Sequence, residues 1–374
     1  MDYEDKKIRV VCAMSGGVDS AVSAALLVRA GFEVIGVFMK FWADKPVNNV
    51  CLPQNRCCSE ESEIRARKTA LQLGIPFYVL DVRDEFKKLV VDRFIRDIKK
   101  GLTPNPCVVC NREIKFGLLI DKARAMGAEF VATGHYAQIK KTKDGIYHLL
   151  KGKDKEKDQS YFLWRLNQKQ LARIIFPAGY FEKSEVRALA KKWKLPSAAT
   201  PESQEVCFAP GGMDAFMEKH CGKKPGNIID ESGRIIGKHE GLWFYTIGQR
   251  KGIKLSGGPY YVAKKDRAKN ELAVVRSPKK IAADTIDLKD VRWIGAPPEL
   301  PLKVKAKIRY RAKDVAAVLR RKAGGVELEF DKPPHPAQVS PAGGQIAPAA
   351  GQSAVFYKGQ ELLGGGCVKT SVGI

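Results

Sequence analysis

The sequence is 374 residues long, which predicts two or three domains, and its 44% hydrophobic residues exclude global disorder. Lys and Arg number 65 against 41 Asp and Glu, so the formal net charge is +24. This balance favours a polyanionic partner, most commonly nucleic acid, over a merely soluble basic protein. The sequence has no apolar run of the roughly 18 residues that a membrane helix needs, and its start lacks the pattern of a signal segment. We therefore expect a cytoplasmic protein without a membrane partner, whose nine cysteines are core residues, metal ligands or catalysts.

The first two hundred residues alternate strand and helix patterns. Strands are predicted over 8–13, 34–39, 77–82 and 129–133, and helices over 21–30, 59–74, 84–99, 112–126 and 183–194. This order predicts an α/β fold with a doubly wound parallel sheet. From Gly226 onward, short strands and glycine-rich turns predict two smaller β-rich domains. We expect the three domains to span residues 1–205, 206–285 and 286–374.

A glycine-rich loop, SGGVDS at 15–20, lies between the first strand and the first helix. Glycines there let backbone N–H groups approach a phosphate, and the helix N-terminus adds a partial positive charge. The loop lacks the lysine of the motif that grips a γ-phosphate. It resembles the pyrophosphate loop of enzymes that split ATP into AMP and pyrophosphate. The alternative is an ordinary glycine-rich turn.

A second motif, Cys107 to Cys110, is predicted to lie just before a helix that begins near Asn111. A thiol near a helix N-terminus and close to Arg112 is expected to have a lowered pKa and therefore to be reactive. A zinc half-site is the alternative, although the sequence has no second pair to complete four ligands. Cys207 lies in a polar segment and is a third candidate for thiol chemistry.

Cations alternate with apolar residues over 303–313. A β-strand would place all six cations on one face, at repeats of about 7 Å that suit a phosphate backbone. The alternative is a solvated edge strand whose lysines prevent aggregation.

These motifs together resemble the bacterial tRNA-specific 2-thiouridylase family, whose members act on the wobble uridine. The segments that fit, in the family's order, are 13–20, 38–40, 105–106, 110–116, 133–137, 157–163, 206–208, 248–252, 309–311 and 351–357. The resemblance covers nearly the whole chain and implies that the last domain is a tRNA-binding β-barrel and the first an ATP-binding catalytic domain.

The resemblance also implies a role for each matching residue. ATP, with Mg²⁺, would be held by Ala13, Met14, Ser15, Gly16, Gly17, Val18, Asp19, Ser20, Met39 and Gly134. Cys110 would be the nucleophile and Cys207 the persulfide carrier, while Asn105, Pro106 and Cys107 would face the target base. Contacts with tRNA are expected at His135, Lys157, Asp158, Gln159, Arg309, Tyr310 and Gln352. The family further implies tRNA acceptors for Lys, Glu and Gln, a sulfur-donor protein, and a Cys110–Cys207 disulfide after each turnover.

Two features depart from the family pattern. Some members have Asp at the position of Cys107, so Cys107, Cys110 and Cys207 could alternatively ligate a [4Fe–4S] cluster. The loop at 333–351 is also longer than usual, which makes the placement of Gln352 less secure. A ligase acting on a small metabolite would not need the basic strand, and an inactive RNA-binding protein would not need Asp19 and the two cysteines.

Overall fold

The structure, a computed structural model, describes residues 7–44, 59–201, 206–331 and 347–369. The chain divides into two compact units. Unit 1 comprises 1–91, 107–213 and 360–362, and unit 2 comprises 92–106, 214–359 and 363–374. No helix in the described ranges is long and apolar enough to cross a membrane.

Unit 1 contains a parallel sheet of five strands. Its strands are β1 (Arg9–Ala13), β2 (Glu33–Lys40), β3 (Phe77–Asp81), β4 (Phe130–Ala132) and, after the hairpin strands β5 (Ala137–Lys141) and β6 (Tyr147–Lys151), β7 (Ile174–Ile175). The sheet order is β3-β2-β1-β4-β7, and each neighbouring pair is parallel. The predicted parallel sheet is confirmed. The hairpin was not predicted; β6 pairs with Glu361 and Leu362, which also belong to unit 1.

The α-helices are α1 (Val18–Arg29), α2 (Glu60–Leu73), α3 (Arg83–Phe86), α4 (Asp92–Lys99), α5 (Pro106–Cys110), α6 (Leu119–Ala125), α7 (Gln168–Leu171), α8 (Lys183–Lys192) and α9 (Met213–Cys221). Single 3₁₀ turns occupy Ser160–Leu163, Pro177–Tyr180, Leu242–Phe244 and Pro278–Ile281. Two π-helical segments, Lys87–Val91 and Asn111–Leu118, link α3 to α4 and α5 to α6.

The core of unit 1 positions α1 against the first strand. Alternate residues of β1, Val10 and Cys12, are fully buried and pack in one cluster with Ala24 and Leu27 of α1. Burial raises the pKa of the Cys12 thiol to about 12, so this cysteine is an inert core residue. Small alanines let α1 lie close to the sheet, which fixes the direction of its N-terminus.

The helix predicted to begin near Asn111 begins at Pro106 instead. Proline is favoured in the first turn of a helix because its missing N–H would have no partner there. Cys107 and Cys110 therefore lie within the first helical turns rather than before the helix. The wider π-helical turn starts directly after Cys110, at Asn111.

Unit 2 contains a four-stranded sheet and a barrel. The sheet has the order β10-β11-β8-β9 and is formed by β8 (Gly226–Ile229), β9 (Ile235–His239), β10 (Tyr261–Asp266) and β11 (Glu271–Val275). The barrel strands are β12 (Thr285–Trp293), β13 (Leu302–Lys307), β14 (Val315–Lys322), β15 (Gly325–Phe330), β16 (Ser353–Lys358) and β17 (Glu361–Val368). Pairing of β12 with β17 closes the barrel, which confirms the predicted β-rich architecture.

The basic strand is shorter than predicted. β13 ends at Lys307, whereas the alternation of charges continues to residue 313. Within β13, Lys303 and Lys305 are exposed and Val304 and Ala306 are buried, so the predicted two-faced pattern holds for this part. β13 pairs with β14 on one side and β16 on the other. It is therefore not an edge strand, and protection of an open edge does not explain its lysines.

Candidate functional site

The glycine-rich loop lies at the point where the connections of the parallel sheet change direction. β1 lies between β2 and β4, and the chain runs from β1 through α1 to β2 on one side. The loops that follow β1 and β4 therefore diverge and leave a crevice beyond the carboxyl ends of these strands. Ligands of open α/β sheets bind in such a crevice. Two of the three predicted nucleotide segments, 13–20 and Gly134, follow these strands, and the third, Met39, lies near the carboxyl end of β2.

Two neighbouring glycines shape the loop for different reasons. Gly16 has φ +73°, and a Cβ there would lie 2.2 Å from the backbone oxygen of Ser62. Gly17 is the extended N-cap of α1, and among the described residues a Cβ there would meet only the Ser15 hydroxyl, at 3.5 Å. Gly16 is thus required by the fold, whereas Gly17 leaves the space in front of the helix N-terminus open. That space suits a phosphate group.

Internal hydrogen bonds fix the loop. The backbone N–H of Ser15 donates to the Ser20 hydroxyl at 3.1 Å, and that hydroxyl donates to the Gly17 carbonyl at 3.0 Å. Arg65 of α2 donates to the Gly16 carbonyl at 3.2 Å and to the Ser62 hydroxyl at 2.9 Å. Because the protein itself supplies all of these bonds, the loop is preorganised.

Asp19, in the first turn of α1, is held by two donors from other parts of unit 1. The Tyr136 hydroxyl donates to Asp19 Oδ1 at 2.7 Å, and Lys183 Nζ donates to the same oxygen at 2.5 Å. The Lys183 side chain is only 10% exposed, against 33% for Asp19. A nearly buried ammonium group therefore lies beside the loop, held in place by its ion pair with Asp19.

Gly134 closes the other side of the crevice. A Cβ at this position would lie 2.7 Å from the Asp19 carbonyl carbon and 2.8 Å from the Ser20 nitrogen. The loop after β4 can therefore approach α1 this closely only with glycine at position 134. Met39, near the end of β2, is 8% exposed and pairs in register with Leu80 of β3.

The three cysteines with predicted chemistry differ in exposure. Cys107 is exposed, Cys110 is buried at 7% exposure, and Cys207 is half-buried. Cys207 precedes Phe208, whose side chain is fully buried. The backbone carbonyl of Phe208 accepts a hydrogen bond from Asp44 N–H at 3.2 Å. The Phe208 ring lies 6.2 Å from that of Phe86. This packing anchors the short segment that carries Cys207.

The structure does not support the alternative of an iron–sulfur cluster. Within the described ranges, which include Cys107, Cys110 and Cys207, no three His, Cys, Asp or Glu side chains form a group that could hold a metal ion. We therefore assign no step to a cluster.

Several residues predicted to contact tRNA have structural partners. His135 is 8% exposed, its Nδ1 lies 2.7 Å from the Thr133 hydroxyl, and its ring lies 5.7 Å from Phe116. Burial, and then the nearby Lys115, hold the pKa of His135 well below its usual range. The ring is therefore neutral at pH 7 and offers no positive charge to a phosphate. Its contact with tRNA stays a prediction.

The segment 157–159 is similar. Asp158 is 5% exposed and accepts hydrogen bonds from Gly152 N–H at 3.2 Å and Ser160 N–H at 3.1 Å. The Gln159 side chain accepts one from Tyr136 N–H at 3.1 Å. Asp158 shapes this turn, and Lys157 is half-buried.

In unit 2, Arg309 lies beyond the end of β13, and its guanidinium donates to the Ala347 carbonyl at 2.6 Å. It therefore tethers a loop rather than extending the row of lysines. Tyr310 and Gln352 are half-buried, as are Asn105 and Pro106. The segment before Asn105 is held by a hydrogen bond from Thr103 N–H to the Ala350 carbonyl at 2.7 Å.

Sequence reasoning missed three residues beside the loop: Tyr136, Lys183 and Arg65. The one local signal was Lys183 in the first turn of α8, where a cation is disfavoured by the helix dipole and therefore suggests another purpose. The contacts of all three join segments distant in sequence, which a single sequence does not show.

Comparison with known proteins identifies the family. Residues 8–211 match the family model described as tRNA methyl transferase HUP domain, 214–276 the tRNA methyl transferase PRC-barrel domain, and 283–368 the aminomethyltransferase beta-barrel domain. The chain is 42% identical to the tRNA-specific 2-thiouridylase of Geobacter metallireducens, over 99% of each sequence. It belongs to the tRNA-specific 2-thiouridylase family. The family resemblance predicted from the sequence is confirmed.

Other relatives agree in name and length. The tRNA-specific 2-thiouridylase of Chloroflexus aurantiacus is 44% identical over 96% of this chain and 98% of its own. Among solved structures, NMN synthetase from Francisella tularensis covers 57% of this chain and 72% of its own, with 17% identity and a TM-score of 0.34.

Proposed function

We propose that this protein is a tRNA uridine 2-sulfurtransferase that uses ATP to replace O2 of the wobble uridine with sulfur, releasing AMP and pyrophosphate. The observation that carries this proposal is the 42% identity, over 99% of each sequence, to relatives named tRNA-specific 2-thiouridylase. The crevice at the end of β1 supports it, because its preorganised loop and fixed cation suit a polyphosphate.

ATP would bind with its phosphates at the loop 15–20. Backbone N–H groups at the N-terminus of α1 would hold phosphate oxygens, and the Lys183 and Arg65 cations would offset their charge. The Asp19 carboxylate and the Ser15 hydroxyl are oxygen donors of the type that Mg²⁺ prefers. Transfer of AMP to the uracil O2 turns a poor leaving group into a good one.

Sulfur transfer would use Cys207 and Cys110. The terminal sulfur of a Cys207 persulfide forms the bond to uracil C2, and AMP leaves with the C2 oxygen. The Cys110 thiolate attacks the persulfide sulfur attached to Cys207, so the S–S bond of the persulfide breaks and a Cys110–Cys207 disulfide forms. A cellular thiol then reduces this disulfide, and a sulfur-donor protein reloads Cys207. Such chemistry suits the reducing cytoplasm.

We further propose that 1–205 form the ATP-binding catalytic domain, 206–285 a central domain and 286–374 a tRNA-binding barrel. The matched regions 8–211, 214–276 and 283–368 lie close to these limits and support them. Asn105, Pro106 and Cys107 would face the target base. Tyr310 and Gln352 would contact tRNA, with acceptors for Lys, Glu and Gln as the expected substrates.

The decisive experiment incubates the protein with ATP, Mg²⁺, a persulfide donor and unmodified tRNA, and analyses the nucleosides by mass spectrometry. We expect 2-thiouridine, together with pyrophosphate release that depends on tRNA. Two of the matched family models carry the words methyl transferase in their descriptions. Replacement of oxygen by sulfur and addition of a methyl group differ in mass, so a methylated uridine without 2-thiouridine would overturn the proposal.

A further inference from the structure

Two segments of unit 2 that are distant in sequence form a basic groove outside the residues assigned so far. The groove is defined by α4, the residue that follows it, and the turn between β10 and β11. It encloses about 420 Å³ and is lined by Asp92, Ile95, Arg96, Lys99, Lys100 and Arg267. Four of these six residues are cations and one is a carboxylate.

The groove is held together by specific contacts. Arg267 donates to the Lys100 carbonyl at 3.2 Å. Gly101 has φ +84°, and a Cβ there would lie 3.1 Å from Arg267 Cδ, so glycine permits the close approach of the two segments. On the buried side of α4, the Phe94 ring lies 6.3 Å from Phe216 of α9. This packing directs the opposite, charged face of α4 outward.

The cations of the groove outnumber the single carboxylate among its lining residues. Arg96, Lys99, Lys100 and Arg267 are all exposed, and no ion pair involves any of them within 7–44, 59–201, 206–331 and 347–369. By contrast, Arg93 on the same helix lies 3.8 Å from the Asp97 carboxylate. Burial, and then repulsion by Arg267, lower the pKa of nearby Lys265 to about 8. Such clustering of like charges opposes folding, so a binding role explains it better than chance.

We propose that the basic groove binds the phosphate backbone of a tRNA stem, as a second electrostatic contact besides β13. This inference rests on the proposed function, because it names a surface for that function's substrate. The cations are exposed and spread over two elements, which suits a row of phosphates better than one small anion. Lys100 is five residues from Asn105, at most about 18 Å of chain. The groove would therefore hold a stem near the segment that is expected to face the target base.

The test compares two variants that lose the same charge. The groove variant carries Arg96→Gln, Lys99→Gln and Arg267→Gln. The control variant replaces cations of unit 2 that already pair with carboxylates outside the proposed tRNA-binding barrel, and carries Lys223→Gln, Arg234→Gln and Lys280→Gln. Affinity for an unmodified tRNA transcript is measured as a function of salt, and thermal melting verifies that both variants are folded.

For the groove variant we expect Kd to rise at least about ten-fold at 0.1 M salt, and the slope of log affinity against log salt to fall by about two to three, roughly one per lost contact. The control should stay within about two-fold of the wild type. A groove variant with the wild-type Kd and slope would overturn the inference, as would weaker binding with an unchanged slope. If the wild type binds tRNA but forms no 2-thiouridine, the proposed function fails while the groove result stands. If the wild type does not bind tRNA, both fail.

Discussion

Replacing Gly17 by valine should reduce ATP use without reducing the stability of the fold. A substitution at the neighbouring Gly16, which the fold requires, provides the comparison. Gly17 has φ −89° and ψ 163°, which valine adopts readily, and a Cβ would lie 3.5 Å from its nearest neighbour atom. We expect Gly17→Val to change the free energy of unfolding by less than about 1 kcal/mol. The new side chain would occupy the space in front of the α1 N-terminus, so tRNA-dependent pyrophosphate release should fall about 100-fold or more.

Gly16→Ala should have a different signature. A non-glycine residue in the left-handed region costs about 1–2 kcal/mol. In addition, a Cβ 2.2 Å from the Ser62 oxygen forces the backbone to move, so the total should be about 2–4 kcal/mol. Thermal melting and pyrophosphate release are measured on both variants. A Gly17→Val protein that melts like the wild type and releases pyrophosphate at the normal rate would refute phosphate binding at this loop.

Three further predictions concern thiols, the buried cation and the basic strand. Cys110→Ser and Cys207→Ser should each abolish the formation of 2-thiouridine, measured by nucleoside mass spectrometry, whereas the control Cys221→Ser should not. A normal yield of 2-thiouridine from either of the first two variants would contradict the mechanism. Lys183→Met should destabilise unit 1 by about 1–3 kcal/mol in thermal melts and raise the KM for ATP, since Asp19 loses one of the two donors that hold it and a cation is removed from the crevice. An unchanged KM would show that the cation does not act at the phosphate site. Changing the three lysines over 303–307 to Ala should reduce the salt slope of tRNA binding by at most about three, and an unchanged slope would exclude this face.

Local sequence patterns predicted the parallel sheet and the position of its glycine-rich loop. Apolar runs such as 8–13 and 34–39 are typical of strands buried on both faces, and a loop after the first strand must lie at the carboxyl edge. Segment boundaries were less predictable. Proline at 106 is compatible with both a turn and a first helical position, and the prediction of a helix start near Asn111 wrongly took it as part of a turn.

The basic strand shows why periodicity is an incomplete guide. The alternation of cations and apolar residues over 303–313 continues beyond the strand, which ends at Lys307. The structural reason for the alternation differs on the two sides of that residue. Up to that residue, the alternation reflects a barrel interior that needs small apolar side chains on one face. Beyond it, Arg309 serves a loop through the Ala347 carbonyl. An arginine can therefore continue the sequence pattern without belonging to the strand. Only its contacts in the structure show whether it lies on the strand's exposed face or holds a loop.

Lys183 and the basic groove illustrate opposite outcomes of the same electrostatics. Lys183 is nearly buried, and folding compensates its charge with Asp19, so its position is determined before any ligand binds. The groove cations are exposed, and within the described part of the chain none of them forms an ion pair. A buried pair is favourable only when its geometry is held. Repulsion within an exposed cluster of like charge still opposes folding, but water and salt screen it, so the cluster costs less than an unpaired buried charge would. The first arrangement therefore suits a site that must orient a small polyphosphate. The second suits a surface that must attract a long polyanion without reading its sequence.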